Sequence, residues 1–181
     1  YGMTEMASTA FAKQADGKIG VGQPLLGREF KLVNEEVWLK GAGLAMGYWR
    51  NGCVDPLTNA EGWFQTKDKG QWLDNELVIQ GRLDNMFISG GENIQPEEIE
   101  KVIAQSDLVK QVFVLPKYDE EFGYRPVAIV EFHTSFNESA VESLNVFLQG
   151  RLERFKQPVA YYELPKDLIQ GAIKISRKAL A

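Results

Sequence analysis

Between residues 19 and 81 apolar and polar side chains alternate in short runs, and glycine or a turn pair breaks each run before it reaches helical length. This pattern constrains the fold more than any other feature. Period-two alternation puts one face of an extended strand on a core and the other on solvent, whereas wound into a helix the same residues would scatter their apolar side chains around every side. "REFKLV" (28–33) and "EEVWLKG" (35–41) are adjacent runs of this kind, joined near Asn34. "GQWLDNELVIQGR" (70–82) turns at Asp74-Asn75 and is predicted to fold back as a hairpin.

From about residue 85 the periodicity changes. "NIQPEEIEKVIAQS" reads as a helix start: Pro96 suits the first turn, Glu97, Glu98 and Glu100 complement the positive helix end, and Ile99, Val102 and Ile103 share a face. "VKQVFVLP" reads as a strand stopped by Pro116, and "RPVAIVEF" as another started by Pro126. "ESAVESLNVFLQGRL" carries Val141, Leu144, Leu148 and Leu152 at helical spacing, followed by a short strand in "VAYYEL" and a tail, "IKISRKAL". The predicted class is α+β: a mostly β segment over 1–82, then a small mixed domain over 83–181.

With 181 residues, 44% of them hydrophobic, the chain can build one medium core or two small ones. A net charge of −5 without basic runs argues against nucleic acid as a partner. The single cysteine, Cys53, cannot form an internal disulfide, and the single histidine, His133, excludes a histidine metal cluster. No apolar stretch approaches the roughly 20 residues of a membrane span. The expectation is a soluble, cytoplasmic protein.

Three stretches could carry chemistry. In "GRLDNMFISGGENIQPEEIE" (81–100), Arg82 and Asp84 stand two apart, and Gly90-Gly91 would let backbone approach a ligand; equally, the stretch would serve as a plain strand–turn–helix connection. In "WFQTKDKG" (63–70), Asp68 could accept hydrogen bonds from sugar hydroxyls or be a turn residue. In "GAIKISR" (171–177), Lys174 is a point charge suited to phosphate or carboxylate oxygens. Neither a phosphate-binding G-x-x-x-x-G-K-[ST] nor a G-x-G-x-x-G occurs.

A fourth stretch, "YGMTE", sits at residue 1 with a glycine, a hydroxyl and a carboxylate side by side. Together with "EVWLKGAGLAMGYW", "WFQTKDKG", "GRLDNMFISGGENIQPEEIE" and "IKISR", it resembles five successive motifs of the adenylate-forming superfamily, which includes acyl-CoA ligases, luciferases and peptide-synthetase adenylation domains. "ISGGENI" leans toward the CoA-ligase branch; "GYWRNG", "GRLDN", "EFGYRPVA" and "IKISR" resemble its o-succinylbenzoate-activating, menaquinone-forming group.

The resemblance implies a C-terminal fragment: the end of a large AMP-binding domain over 1–82, then a small mobile domain over 83–181, with an N-terminal domain missing. It implies that Tyr1 stacks on adenine, Thr4 meets the α-phosphate region and Glu5 holds Mg²⁺. Asp68 would bind the ribose and Arg82 would lie near it. Asp84 would be the hinge, and Gly90 and Gly91 would line the pantetheine channel. Lys174 would be the adenylation lysine, with Ser8 and Thr9 bordering the acid pocket. ATP, CoA and a small carboxylic acid, o-succinylbenzoate foremost, are the implied partners. A related ligase with another acid, or an inert nucleotide- or CoA-binding fragment, stands as the alternative. The β face of 1–80 could also self-associate into a homo-oligomer. Two positions depart from the family pattern: Lys67 where glycine commonly precedes the ribose aspartate, and Ile173 where glycine often precedes the lysine.

Overall fold

The computed structural model describes residues 1–14, 17, 19–167, 175 and 177–180. The chain forms two compact units, Tyr1–Asp84 and Asn85–Ala181.

The first unit is built from hairpins. Strands β1 (Gly2–Met3) and β2 (Ser8–Thr9) pair around a 3-10 turn at Thr4–Met6, and β3 (Phe11–Ala12) pairs with β4 (Gln23–Pro24). Next come β5 (Arg28–Val33), β6 (Glu36–Gly41), the separate hairpin β7 (Gly47–Arg50) and β8 (Cys53–Pro56), then β9 (Phe64–Leu73) and β10 (Glu76–Arg82). An antiparallel sheet takes the order β10-β9-β6-β5. Its two tight turns fall at Asn34-Glu35 and Asp74-Asn75, all four with positive φ between 49° and 64°. Asn and Asp tolerate that left-handed backbone, and it suits the twist of a two-residue hairpin. Val37 and Leu39 of β6 and Leu77 of β10 are fully buried against Met6, Ala10 and Phe11. Burying each such large side chain contributes roughly 1.5–3 kcal/mol.

In the second unit, β11 (Phe87–Ser89) and β12 (Glu92–Ile94) flank the Gly90-Gly91 turn and lead into α1 (Pro96–Ile103). Pro96 occupies the first helical position, and Ile99 and Ile103, four apart, are fully buried. Asn137 caps α2 (Glu138–Leu148), accepting the Ala140 N–H at 2.9 Å. Leu152 lies beyond the helix, past a positive-φ Gly150, yet remains buried.

The long strands β13 (Val109–Asp119) and β14 (Gly123–Phe132) pair antiparallel, and β15 (Tyr161–Glu163) adds to β14 in parallel. One sheet face sends Val114, Ala128 and Val130 onto the helices; the other sends Leu115, Val127 and Ile129 onto Leu164.

The expected strand limits at Pro116 and Pro126 are corrected. Both strands run through their prolines, which face each other across the ladder. The reason lies in the hydrogen-bond alternation. At the pair Val114–Ala128, the Val114 N–H goes to the Glu100 carboxylate and the Ala128 N–H to the Ala160 carbonyl, so neither bonds its opposite residue. Two residues on, Pro116–Pro126 repeats that non-hydrogen-bonded phase, where the ladder needs no N–H from either residue. Among the described residues no helix is long and apolar enough to cross a membrane. The fold is the expected α+β.

Candidate functional site

The first unit gathers four of the residues singled out in the sequence. Asp68 lies on β9 between two bulges. Between β6 and β9 the register jumps from Glu36–Lys69 to Trp38–Gln65, and between β9 and β10 it jumps between Ile79 and Gly81. Such bulges turn a strand locally and re-aim its side chains. As a result Asp68 stands directly opposite Arg82, and its carboxylate is buried in the sheet.

Tyr1 Oη donates to Asp68 Oδ2, and Arg82 Nη1 donates to Asp68 Oδ1 at 3.1 Å. The same guanidinium grips Asp84 with two parallel bonds of 2.8 Å, from Nε to Oδ1 and from Nη2 to Oδ2. That fork-to-fork geometry is the most directional ion pair available to side chains. Burial pushes the Asp68 carboxyl above its ordinary value, against the Tyr1 hydrogen bond and the Arg82 charge. The Arg82 hydrogen bonds hold Asp84 below the ordinary value. Burial, with the Asp68 contact, drives the Tyr1 phenol far up, so Tyr1 is a neutral donor.

Thr66 was missed in the sequence. Its Oγ1 donates to the Val37 carbonyl at 2.7 Å and accepts the Asp68 N–H at 3.0 Å, and its own carbonyl accepts from Arg82 Nη1 at 3.3 Å. A threonine two residues before an aspartate is the available signal, since short hydroxyl side chains bond the backbone two positions on. Glu36 was also missed: its carboxylate accepts the Lys67 N–H at 2.9 Å and the Trp38 indole N–H at 3.0 Å, pinning the bulge.

The "YGMTE" segment folds tightly. A Cβ on Gly2 would lie 1.7 Å from the Ser8 carbonyl oxygen, so only glycine fits. Thr4 and Ser8 are exposed, Thr9 is half-buried, and Ser8 and Thr9 hydroxyls are 3.4 Å apart. Glu5 does not join the Asp68 cluster; Tyr48 Oη donates to its Oε1 at 2.6 Å.

In the second unit Gly90 and Gly91 have φ of 58° and 90°. The Gly90 N–H donates to the Phe122 carbonyl at 2.9 Å, and a Cβ at Gly90 would meet the Phe122 ring at 3.0 Å. Lys174 lies outside the described residues. Downstream, Arg177 donates to Glu100 Oε1 and Oε2 at 2.7 and 2.6 Å and to the Val114 carbonyl at 2.7 Å, tying the tail to α1 and β13. Among the described residues no group of three or more His, Cys, Asp or Glu could hold a metal by itself.

No protein-family model matches the chain. Over its whole length it is 70% identical to 2-succinylbenzoate–CoA ligase of Haemophilus influenzae, covering 40% of that protein. A variant of Escherichia coli MenE with bound OSB-AMS is similar with a TM-score of 0.88 and 53% identity, over 99% of this chain and 39% of that one. o-Succinylbenzoate coenzyme A synthetase (MenE) from Bacillus subtilis, in complex with ATP and magnesium ion, is similar with a TM-score of 0.75 and 27% identity, over 91% of this chain and 37% of that one. The chain thus spans about 40% of the length of the relatives it matches. Its fold is that of the C-terminal part of adenylate-forming enzymes. Within that class, the chain matches the C-terminal portion of 2-succinylbenzoate–CoA ligases.

Proposed function

We propose that the protein containing this chain is an ATP-dependent acid–CoA ligase that activates o-succinylbenzoate as an acyl-adenylate and then transfers it to CoA, in menaquinone synthesis. The observation that carries the proposal is a preorganised carboxylate, Asp68 fixed by Tyr1 and Arg82, in a chain 70% identical to a 2-succinylbenzoate–CoA ligase.

Asp68 would accept the ribose hydroxyls, with Arg82 beside the ribose and the Tyr1 ring against adenine. The acid carboxylate and the ATP α-phosphate are both anions, so bringing them together requires positive charge where the transition-state charge gathers. Lys174 would supply it, and Thr4 would meet the α-phosphate region. Glu5 is a lone carboxylate, which suits a cation shared with nucleotide phosphates rather than caged by protein. Bound there with ATP, Mg²⁺ would offset phosphate charge during adenylation. Ser8 and Thr9 would border the acid.

Attack by CoA on the adenylate needs other groups at the same place. Asp84, the last residue of the first unit, would serve as the hinge about which the second unit turns to bring Gly90-Gly91 beside the pantetheine thiol. The isolated chain, which spans about 40% of the length of the relatives it matches, is expected to be inactive.

The test is pyrophosphate exchange into ATP by the complete enzyme with a panel of carboxylic acids. Strong exchange with o-succinylbenzoate alone supports the proposal. Exchange with another acid replaces only the substrate, whereas none with any acid leaves a nucleotide- or CoA-binding module.

A further inference from the structure

Glu5 sits apart from the Asp68 cluster, yet it is held from two directions. Its backbone carbonyl accepts the Ala45 N–H at 2.8 Å, from the loop before β7. Its Oε1 accepts the Tyr48 hydroxyl at 2.6 Å, a residue 43 positions away on β7. Behind it, the fully buried Met6 and the Ala7 N–H bond to the Thr4 carbonyl close the turn. Among the described residues nothing donates to Oε2, so the contacts fix the carboxylate by one oxygen and leave the other open.

Tyr48 is itself placed with care. Gly47 before it lets β7 and β8 approach, since a Cβ there would lie 2.1 Å from the Asp55 carbonyl oxygen. The Arg50 guanidinium covers the Tyr48 ring at 5.2 Å. A phenol offers a single O–H to an ionised carboxylate; the short bond is charge-assisted and selects one carboxylate rotamer.

We propose that Tyr48 is a positioning residue for Glu5, orienting its open oxygen toward the divalent cation that accompanies ATP. This inference rests on the proposed ATP-dependent ligase activity and on Glu5 as its metal-binding carboxylate. Hydrogen-bond partners of metal ligands typically govern 10–100-fold in metal affinity.

The experiment uses the complete enzyme and three variants: Tyr48→Phe, Glu5→Gln and Arg50→Ala. Mn²⁺ affinity is read by electron paramagnetic resonance with a non-hydrolysable ATP analogue. The Mg²⁺ requirement of pyrophosphate exchange and the metal-independent attack of CoA on purified acyl-adenylate are measured in parallel. Tyr48→Phe is expected to weaken Mn²⁺ binding by at least about tenfold. It should raise the Mg²⁺ concentration for half-maximal exchange to match, recover most of the rate at saturating Mg²⁺, and spare the CoA step. Arg50→Ala, which disturbs the ring's packing and keeps the hydroxyl, should leave Mn²⁺ affinity in place.

Unchanged Mn²⁺ affinity in Tyr48→Phe alongside a loss in Glu5→Gln overturns the role of Tyr48 and leaves Glu5 standing. No change in either removes Glu5 from the metal site. Equal losses in both half-reactions, or an Arg50→Ala variant as weak as Tyr48→Phe, would make the hairpin's structure responsible and overturn the proposal.

Discussion

Lys67 holds a φ of 64° in the bulge next to Asp68, in the left-handed region where an L side chain costs roughly 1–2 kcal/mol. This is the position where the resemblance leads one to expect glycine, and a positive φ there suits a residue without a Cβ. Here the Lys67 N–H bonds Glu36 at 2.9 Å, and its ammonium lies 3.6 Å from the same carboxylate oxygen. Glu36 is buried, but the Lys67 ammonium is half-exposed and screened by solvent, so the pair is worth no more than about 1 kcal/mol, and Lys67→Gly should leave stability unchanged or raise it by up to about 1 kcal/mol. Lys67→Val, β-branched, should lower it by about 1–2 kcal/mol; urea unfolding measures both. Beside it, Asp68 and Asp84 share one guanidinium but should titrate on opposite sides of the ordinary value near ~3.9. Asp84, depressed, lends stability that is present above that value and lost as pH falls through its folded value. Asp68, raised by burial, favours the fold most below ~3.9 and loses that contribution as pH rises through its folded value. Carbon-13 titration of the two carboxyls checks the split, and coincident titrations would contradict it.

At the level of elements, the second unit is pinned by bonds that cross the sequence. Arg177 closes on Glu100 and the Val114 carbonyl, and burial pushes the Glu100 carboxyl up against the opposing pull of its partners. Arg177→Met would strand a largely buried carboxylate and a strand carbonyl, and should destabilise the unit by about 2–4 kcal/mol in urea unfolding. The glycine hairpin has a milder constraint. Gly90→Ala forces a Cβ into a left-handed residue against the Phe122 ring, so a loss of about 1–2 kcal/mol is expected by the same measurement. Pro116 and Pro126 show how a sequence rule meets its exception. Each proline lacks the N–H that a strand usually needs, but opposing them at a non-hydrogen-bonded pair removes the need.

For the whole molecule, the proposed chemistry separates two half-reactions that one site must run in turn. Lys174→Ala in the complete enzyme should slow adenylate formation by about 10²–10³-fold, the scale for removing one charge-stabilising donor. CoA attack on preformed acyl-adenylate should be largely spared. Rapid-quench measurement of each step checks this, and equal losses would contradict a site that presents different groups to each step.

Features written in short range could be read from the residues alone. The alternation of 28–41 and 70–82, the turns at Asn34 and Asp74-Asn75 and the Pro96 helix start depend only on neighbours a few residues apart. The strings that hold Tyr1, Glu5, Asp68 and Arg82 stand out too, because each is contiguous, while the roles given to those residues are proposals. Which of them meet depends on how the strands pair. Asp68 joins Tyr1 and Arg82 because two bulges shift the register, and a bulge depends on the partner strand rather than on the strand that carries it. Glu5 went instead to Tyr48, 43 residues away, and strands continued through prolines that face each other by pairing alone. Local periodicity fixes the direction a side chain takes from its own backbone; register across strands fixes what it finds there, and no short window of sequence contains both strands.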